Sequence, residues 1–97
     1  MEVRIQAIHF DISDRLSAFI NKKAERLERR NSAISVIDVT LKVVKPETAM
    51  NKEAVVKISI PSVEELVASK TADTFEEAID LCLEALDRQL EKHKDRK

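Results

Sequence analysis

The sequence predicts an α+β fold with the order β-α-β-β-β-α, one four-stranded sheet carrying both helices on one face. Two patterns point there. Apolar residues recur every three or four positions over residues 14–30 and 74–97, the period of an amphipathic helix. Before and between these segments, apolar and polar residues alternate in short runs, the period of a half-buried strand. The apolar stripes of both helices need one surface to cover, and a single sheet face supplies it.

Val3, Ile5 and Ala7 alternate with Arg4 and Gln6, giving a first strand over about residues 2–8. Asp11-Ile12-Ser13 ends it. Ser13 suits a helix N-cap, and Asp14 sits well at the positive end of the helix dipole. The helix then runs to about Arg30, with Leu16, Phe19, Ile20, Ala24 and Leu27 on its buried stripe. Lys23 projects beside that stripe and has to snorkel to reach water. Asn31-Ser32 breaks the pattern. Val36 to Val44 is β-branched and alternating, with Ile37, Val39, Leu41 and Val43 on one face. A polar loop covers Lys45 to Lys52, around Pro46 and Asn51. Ala54, Val56, Ile58 and Ile60 mark the next strand, closed by Pro61-Ser62, and Glu65 to Lys70 a shorter one. Short connections make these three an antiparallel meander, while the crossover through the first helix permits the first two strands to run parallel. Thr74-x-x-Glu77 reads as a capping box opening the last helix. Its stripe is Phe75, Ala78, Ile79, Cys82, Leu86 and Leu90.

At 97 residues, this length fits one small domain able to bury a core without staples. One cysteine excludes an internal disulfide and fits a reducing compartment, so the cytoplasm is expected. No apolar run approaches a membrane span, and Met1 to Phe10 lacks the apolar core of a secretory signal. The absence of glycine excludes the glycine-rich phosphate loops and leaves turns to Asn, Asp, Ser and Pro.

Catalytic chemistry is weakly represented. Cys82 lies on the apolar stripe between Ile79 and Leu86, the setting of a structural thiol rather than a nucleophile. His9 and His93 have no cysteine pair with which to bind zinc. Of the eighteen carboxylates, seven follow the exposed side of the last helix, a solvated face. We expect no enzyme activity, cofactor, metal or small-molecule substrate.

The net charge of −1 conceals a strongly uneven distribution. Residues 14–30 carry +3, residues 64–87 carry −7 and residues 88–97 carry +3. Arg15, Lys22, Arg26 and Arg29 share one flank of the first helix. Arg88, Lys92 and Arg96 repeat at i, i+4 and i+8 on the last, so successive rungs stand about 6 Å apart, a spacing able to follow a phosphate backbone. Acid at a helix start and base at its end also suits the macrodipole of any helix, and Glu25, Glu28, Glu84 and Glu91 offer internal pairs, Glu84 to Arg88 among them. Charge pattern alone leaves nucleic-acid binding and a well-made helix both open. Three aromatics, all Phe, argue against a base-stacking platform and favour recognition of duplex shape and backbone.

Ala78-Ile79-Asp80, Leu86 and then Arg88-Gln89-Leu90-x-Lys92-His93-Lys94-Asp95 resemble the C-terminal signature of the ribosome hibernation-promoting factor family, which includes ribosome-associated inhibitor A. Ile12-Ser13-x-x-Leu16-x-x-Phe19-Ile20-x-x-Lys23-x-x-Arg26-Leu27-Glu28 is similar to that family's first helix. Leu41-Lys42-Val43 and Ala68-Ser69 match its strands in order. The resemblance implies the same β-α-β-β-β-α layout, similar to double-stranded RNA-binding domains. It implies a translation regulator that binds the small ribosomal subunit in the decoding region through ribosomal RNA. Such a protein overlaps the messenger and transfer RNA sites and idles ribosomes under stress or in stationary phase. By this resemblance residues 1–97 form one ribosome-binding domain of the short form, without a C-terminal dimerisation domain and monomeric off the ribosome. Matching positions make Lys23, Arg26, Arg88, Lys92 and Lys94 candidate RNA contacts, and charge pattern adds Lys22, Arg29 and Arg30. Glu76, Ala85 and Ala72 stand where members commonly have tyrosine, lysine and glycine. A protein-interaction module using a sheet edge or the acidic helix face, or an RNA-binding domain acting away from the ribosome, are the alternatives. A thiol enzyme using Cys82 is a third.

Overall fold

A computed structural model describes residues 1–45, 49–61 and 65–95, with side chains described as far as Lys92. Its elements are β1 (Glu2–Ala7), α1 (Asp14–Arg30), β2 (Val36–Val43), β3 (Lys52–Ser59), β4 (Leu66–Ala72) and α2 (Phe75–Asp95). They form one sheet in the order β1-β2-β3-β4, with β1 parallel to β2 and the other neighbours antiparallel. The α1 crossover is what allows the parallel pair, since a tight turn cannot connect parallel strands.

The alternation read from the sequence is what fixes the core. Ile37, Val39 and Leu41 of β2 face Ile58, Val56 and Ala54 of β3 in register, and all six are buried. Leu66, Ala68 and Ala72 of β4 extend that surface. α2 lies against β3 and β4, and α1 packs against β1 and α2. From above, α1 contributes Leu16, Ile20, Ala24 and Leu27, and α2 contributes Ala78, Ile79, Cys82, Leu86 and Leu90. Ile34, in the connection after α1, joins them, a core residue that periodicity did not reveal because it belongs to no element.

The caps behave largely as the sequence suggests. Ser13 Oγ accepts a hydrogen bond from Leu16 N at 3.1 Å, satisfying one donor of the first turn. Thr74 Oγ1 accepts from Glu77 N at 3.1 Å. Among the described residues, the return bond from the Thr74 N–H to the Glu77 carboxylate is not formed, so the capping box is half made. Boundaries differ by one or two residues. β3 starts at Lys52, inside the expected loop, because Val44 N donates to Asn51 O and carries the pairing onward. β4 runs on to Ala72 for the same reason, with Ala72 opposite Lys52. Ile60 lies beyond β3, and only part of its side chain is buried.

With no glycine available, left-handed backbone falls on His9 (φ 62°), Lys45 (φ 48°) and Met50 (φ 53°). A side chain makes such a residue cost roughly 1–2 kcal/mol more than a right-handed one. At Met50 the backbone N–H donates to Asp73 Oδ1 at 2.8 Å, which ties the β2–β3 loop to the turn before α2.

Candidate nucleic-acid interface

The sequence puts five candidate RNA contacts on α1, Lys22, Lys23, Arg26, Arg29 and Arg30, and three on α2, Arg88, Lys92 and Lys94. Whether they meet depends on how each helix is rotated about its axis. The buried stripe of α1 turns Lys23, Arg26 and Arg30 toward α2. That of α2 turns Asp80, Glu84 and Asp87 toward α1. These six, with Leu27 and Leu83 beneath them, line a cleft of about 430 Å³ between the helices.

Two ion pairs cross the cleft. Lys23 Nζ stands 3.1 Å from Asp80 Oδ1, and Arg30 donates through a guanidinium nitrogen to Asp87 Oδ2 at 2.6 Å. Lys23 snorkels as expected. Its stem lies along the stripe and its ammonium sits 5.3 Å from the centre of the Phe19 ring. What the sequence did not reveal is the partner. Lys23 ends on a carboxylate of the other helix rather than in open water.

The remaining candidates differ. Lys22, Arg26, Arg29, Arg88 and Lys92 are exposed, and among the described residues none of them makes an ion pair. The alternative partner for Arg88, Glu84, makes no ion pair with it among the described residues. Lys22, Arg26 and Arg29 are spaced i, i+4 and i+7, so they follow one ridge along α1 with rises of about 6 Å and 4.5 Å. Arg88 and Lys92 lie roughly 100° further round α2 than the cleft carboxylates. They are on the side from which Gln89 donates to the Val67 carbonyl of the edge strand β4 at 3.3 Å. The side chain of Lys94 and the whole of Arg96 lie outside the described residues. Among the described residues the two basic flanks therefore do not merge. The α2 carboxylates stand between them.

The opposite face of the sheet offers no basic platform. Arg4, Asp38 and Lys57 lie side by side across β1, β2 and β3, and Lys42 faces Glu53 across β2 and β3. Signs alternate along both rows, the arrangement that favours neighbouring strands. Arg4 also donates through Nε to Glu2 Oε2 at 2.9 Å. That bond holds the Glu2 carboxyl below its usual range and the Arg4 guanidinium above its own.

Stacking surfaces are likewise absent among the described residues. Phe10 and Phe75 stack on each other, ring centres 5.0 Å apart at 12°, both half-buried, and Phe19 lies under Lys23. Cys82 is a core residue. Its Sγ donates toward the Ala54 carbonyl at 3.3 Å, with the Ala68 carbonyl at 3.6 Å, and burial pushes the thiol up to about 11. A thiol so protonated is a poor nucleophile at neutral pH. Among the described residues no group of three or more His, Cys, Asp or Glu is placed to hold a metal ion, and no helix is long and apolar enough to cross a membrane.

Comparison with known proteins bears on the fold and the family. Residues 3–97 match the family described as Sigma 54 modulation protein / S30EA ribosomal protein. The chain is 34% identical to a ribosome hibernation promoting factor of Azotobacter vinelandii over 96 residues, 99% of this chain and 85% of the relative. It is 30% identical to one of Pseudomonas putida, covering 99% of this chain and 89% of the relative. Its fold is similar to that of a ribosomal subunit interface protein from Coxiella burnetii, with a TM-score of 0.87 at 24% identity, over 99% of this chain and all of the other. The Protein Y N-terminal domain of Thermus thermophilus gives 0.78 at 19%, over 96% and 99%. With a family match over nearly its whole length and relatives at or above 30% identity, this chain belongs to the Sigma 54 modulation protein / S30EA ribosomal protein family.

Proposed function

We propose that this protein is a ribosome-associated translation regulator that acts without catalysis, by occupying the decoding region of the small ribosomal subunit. The observation that carries the reading is the exposed set Lys22, Arg26, Arg29, Arg88 and Lys92, without ion pairs among the described residues, on the helical layer of a chain whose relatives are named ribosome hibernation promoting factors. Each cation neutralises a phosphate and releases a condensed counterion, which makes binding strong at low salt and weak at high salt. Arginine adds a planar fork that can hold phosphate through two parallel hydrogen bonds. A rigid body seated on the helices fills the channel that messenger and transfer RNA need, and translation idles until it leaves. The buried, protonated Cys82 supports a role without thiol chemistry. The single cysteine and the ribosomal partner both suit the cytoplasm.

Co-sedimentation with ribosomes from starved cells tests the reading. The protein is expected in the ribosomal fraction at low salt and in the supernatant after RNase or at high salt. Association that survives RNase and varies little with salt would instead mean docking on protein through the sheet edge or the acidic face of α2. Absence from the ribosomal fraction at every low salt would overturn the reading.

A further inference from the structure

We propose that Asp80 and Asp87 set the strength of RNA binding by acting as built-in counter-ions for Lys23 and Arg30. This rests on the reading of the helical layer as an RNA-binding surface, and it concerns the part of that surface that the ion pairs neutralise.

The cleft holds three cations, Lys23, Arg26 and Arg30, and three carboxylates, Asp80, Glu84 and Asp87. Its formal charge is zero. An approaching phosphate therefore meets no net attraction there, although three basic side chains line the walls. To engage Lys23 or Arg30 it must displace a carboxylate already 3.1 Å or 2.6 Å away. The displaced carboxylate then stays close to the phosphate and repels it. The exchange also releases few counterions, because each cation was already neutralised internally.

The geometry thus leaves Lys22 and Arg29 of α1 and Arg88 and Lys92 of α2 on either side of a trough whose charges, that of Arg26 included, cancel. Asp80 and Asp87 are positioning residues. They touch no RNA, and they hold Lys23 and Arg30 out of the phosphate-binding set. Removing both charges while keeping the side-chain shape turns the trough into a basic ridge that joins the two sides.

The test compares three proteins binding to purified bacterial small ribosomal subunits across a salt series. They are the wild type, the Asp80→Asn/Asp87→Asn variant, and Asp38→Asn/Glu53→Gln, which makes the same change of net charge on the opposite sheet face. The cleft variant is expected to bind roughly two- to thirtyfold more tightly near 0.1 M salt, the range given by two exposed ion pairs. Its plot of log affinity against log salt should be steeper by roughly 1.5, the release from two added phosphate contacts. The control should move less than twofold with an unchanged slope. A thermal melt of each variant keeps folding out of the comparison. Equal affinity and slope for the cleft variant and the control overturn this inference alone. Failure of all three to bind overturns it together with the reading of function.

Discussion

Arg30 of α1 donates to Asp87 of α2 at 2.6 Å, joining side chains 57 positions apart in the chain. The contact shows which flank each helix turns to the other, and it adds little to the stability of the fold. Arg30 is 63% exposed and Asp87 29%, so water and salt screen the pair. A double-mutant cycle with Arg30→Ala and Asp87→Ala should give a coupling of about 0.2–1 kcal/mol. The coupling should shrink toward zero at 1 M salt. A coupling above about 2 kcal/mol that persists at high salt would show a desolvated pair, contrary to the exposure seen.

Stability resides in the layer beneath. Leu86 is fully buried between α2 and the sheet, so Leu86→Ala should cost about 2–5 kcal/mol in urea denaturation. Val67 points from the open face of β4 and is 49% exposed. Val67→Ala should cost well under half of that, since little of its surface leaves water on folding. Similar losses at the two sites would contradict the one-sided core.

The caps give a third expectation. Ser13→Ala and Thr74→Ala each remove the acceptor for one first-turn N–H, Leu16 N and Glu77 N respectively. Each should lower stability by about 1 kcal/mol, read as a shift of the urea midpoint without a change of slope. No shift at either position would mean that water replaces the hydroxyl without loss.

Cys82 should resist alkylation at pH 8 in the folded protein and react readily in urea. Its pH signature has a definite sign. Burial raises the thiol from 9.0 to about 11, so between those values the folded state keeps a proton that the unfolded chain has lost. The Cys82 contribution to stability is therefore complete below pH 9 and falls away as pH rises to 11. Cys82→Ala should remove that alkaline component while lowering stability at every pH through the cavity it leaves. Rapid alkylation in the native state would contradict the burial.

Much of this molecule was legible in the sequence, for local reasons. The alternation of Ile37, Val39 and Leu41 and the stripe of Ile79, Cys82, Leu86 and Leu90 each report a single element's buried face, and burial follows them. Ser13 and Thr74 sit where a helix start needs an acceptor. Family resemblance marked basic helix positions as candidate RNA contacts. The flank each helix turns to its neighbour was not legible. Asp80 and Asp87 read as a solvated acidic face, because periodicity fixes which side goes down but not which neighbour stands beside it. That depends on strand order and helix direction together. The Phe10–Phe75 stack was hidden for the same reason. It joins a loop residue to a helix start 65 positions later, and no local pattern links them.

Binding of small ribosomal subunits by wild type and by Arg88→Glu/Lys92→Glu measures the central claim most directly. Both residues are exposed, and among the described residues neither makes an ion pair, so the variant should stay folded, losing about 1 kcal/mol to the helix dipole and to the repulsion from Glu84. It should lose at least about tenfold in affinity at 0.1 M salt and show a shallower salt dependence by roughly two contacts. Unchanged affinity and salt slope in a folded variant would contradict the account, because the basic end of α2 would then not face RNA.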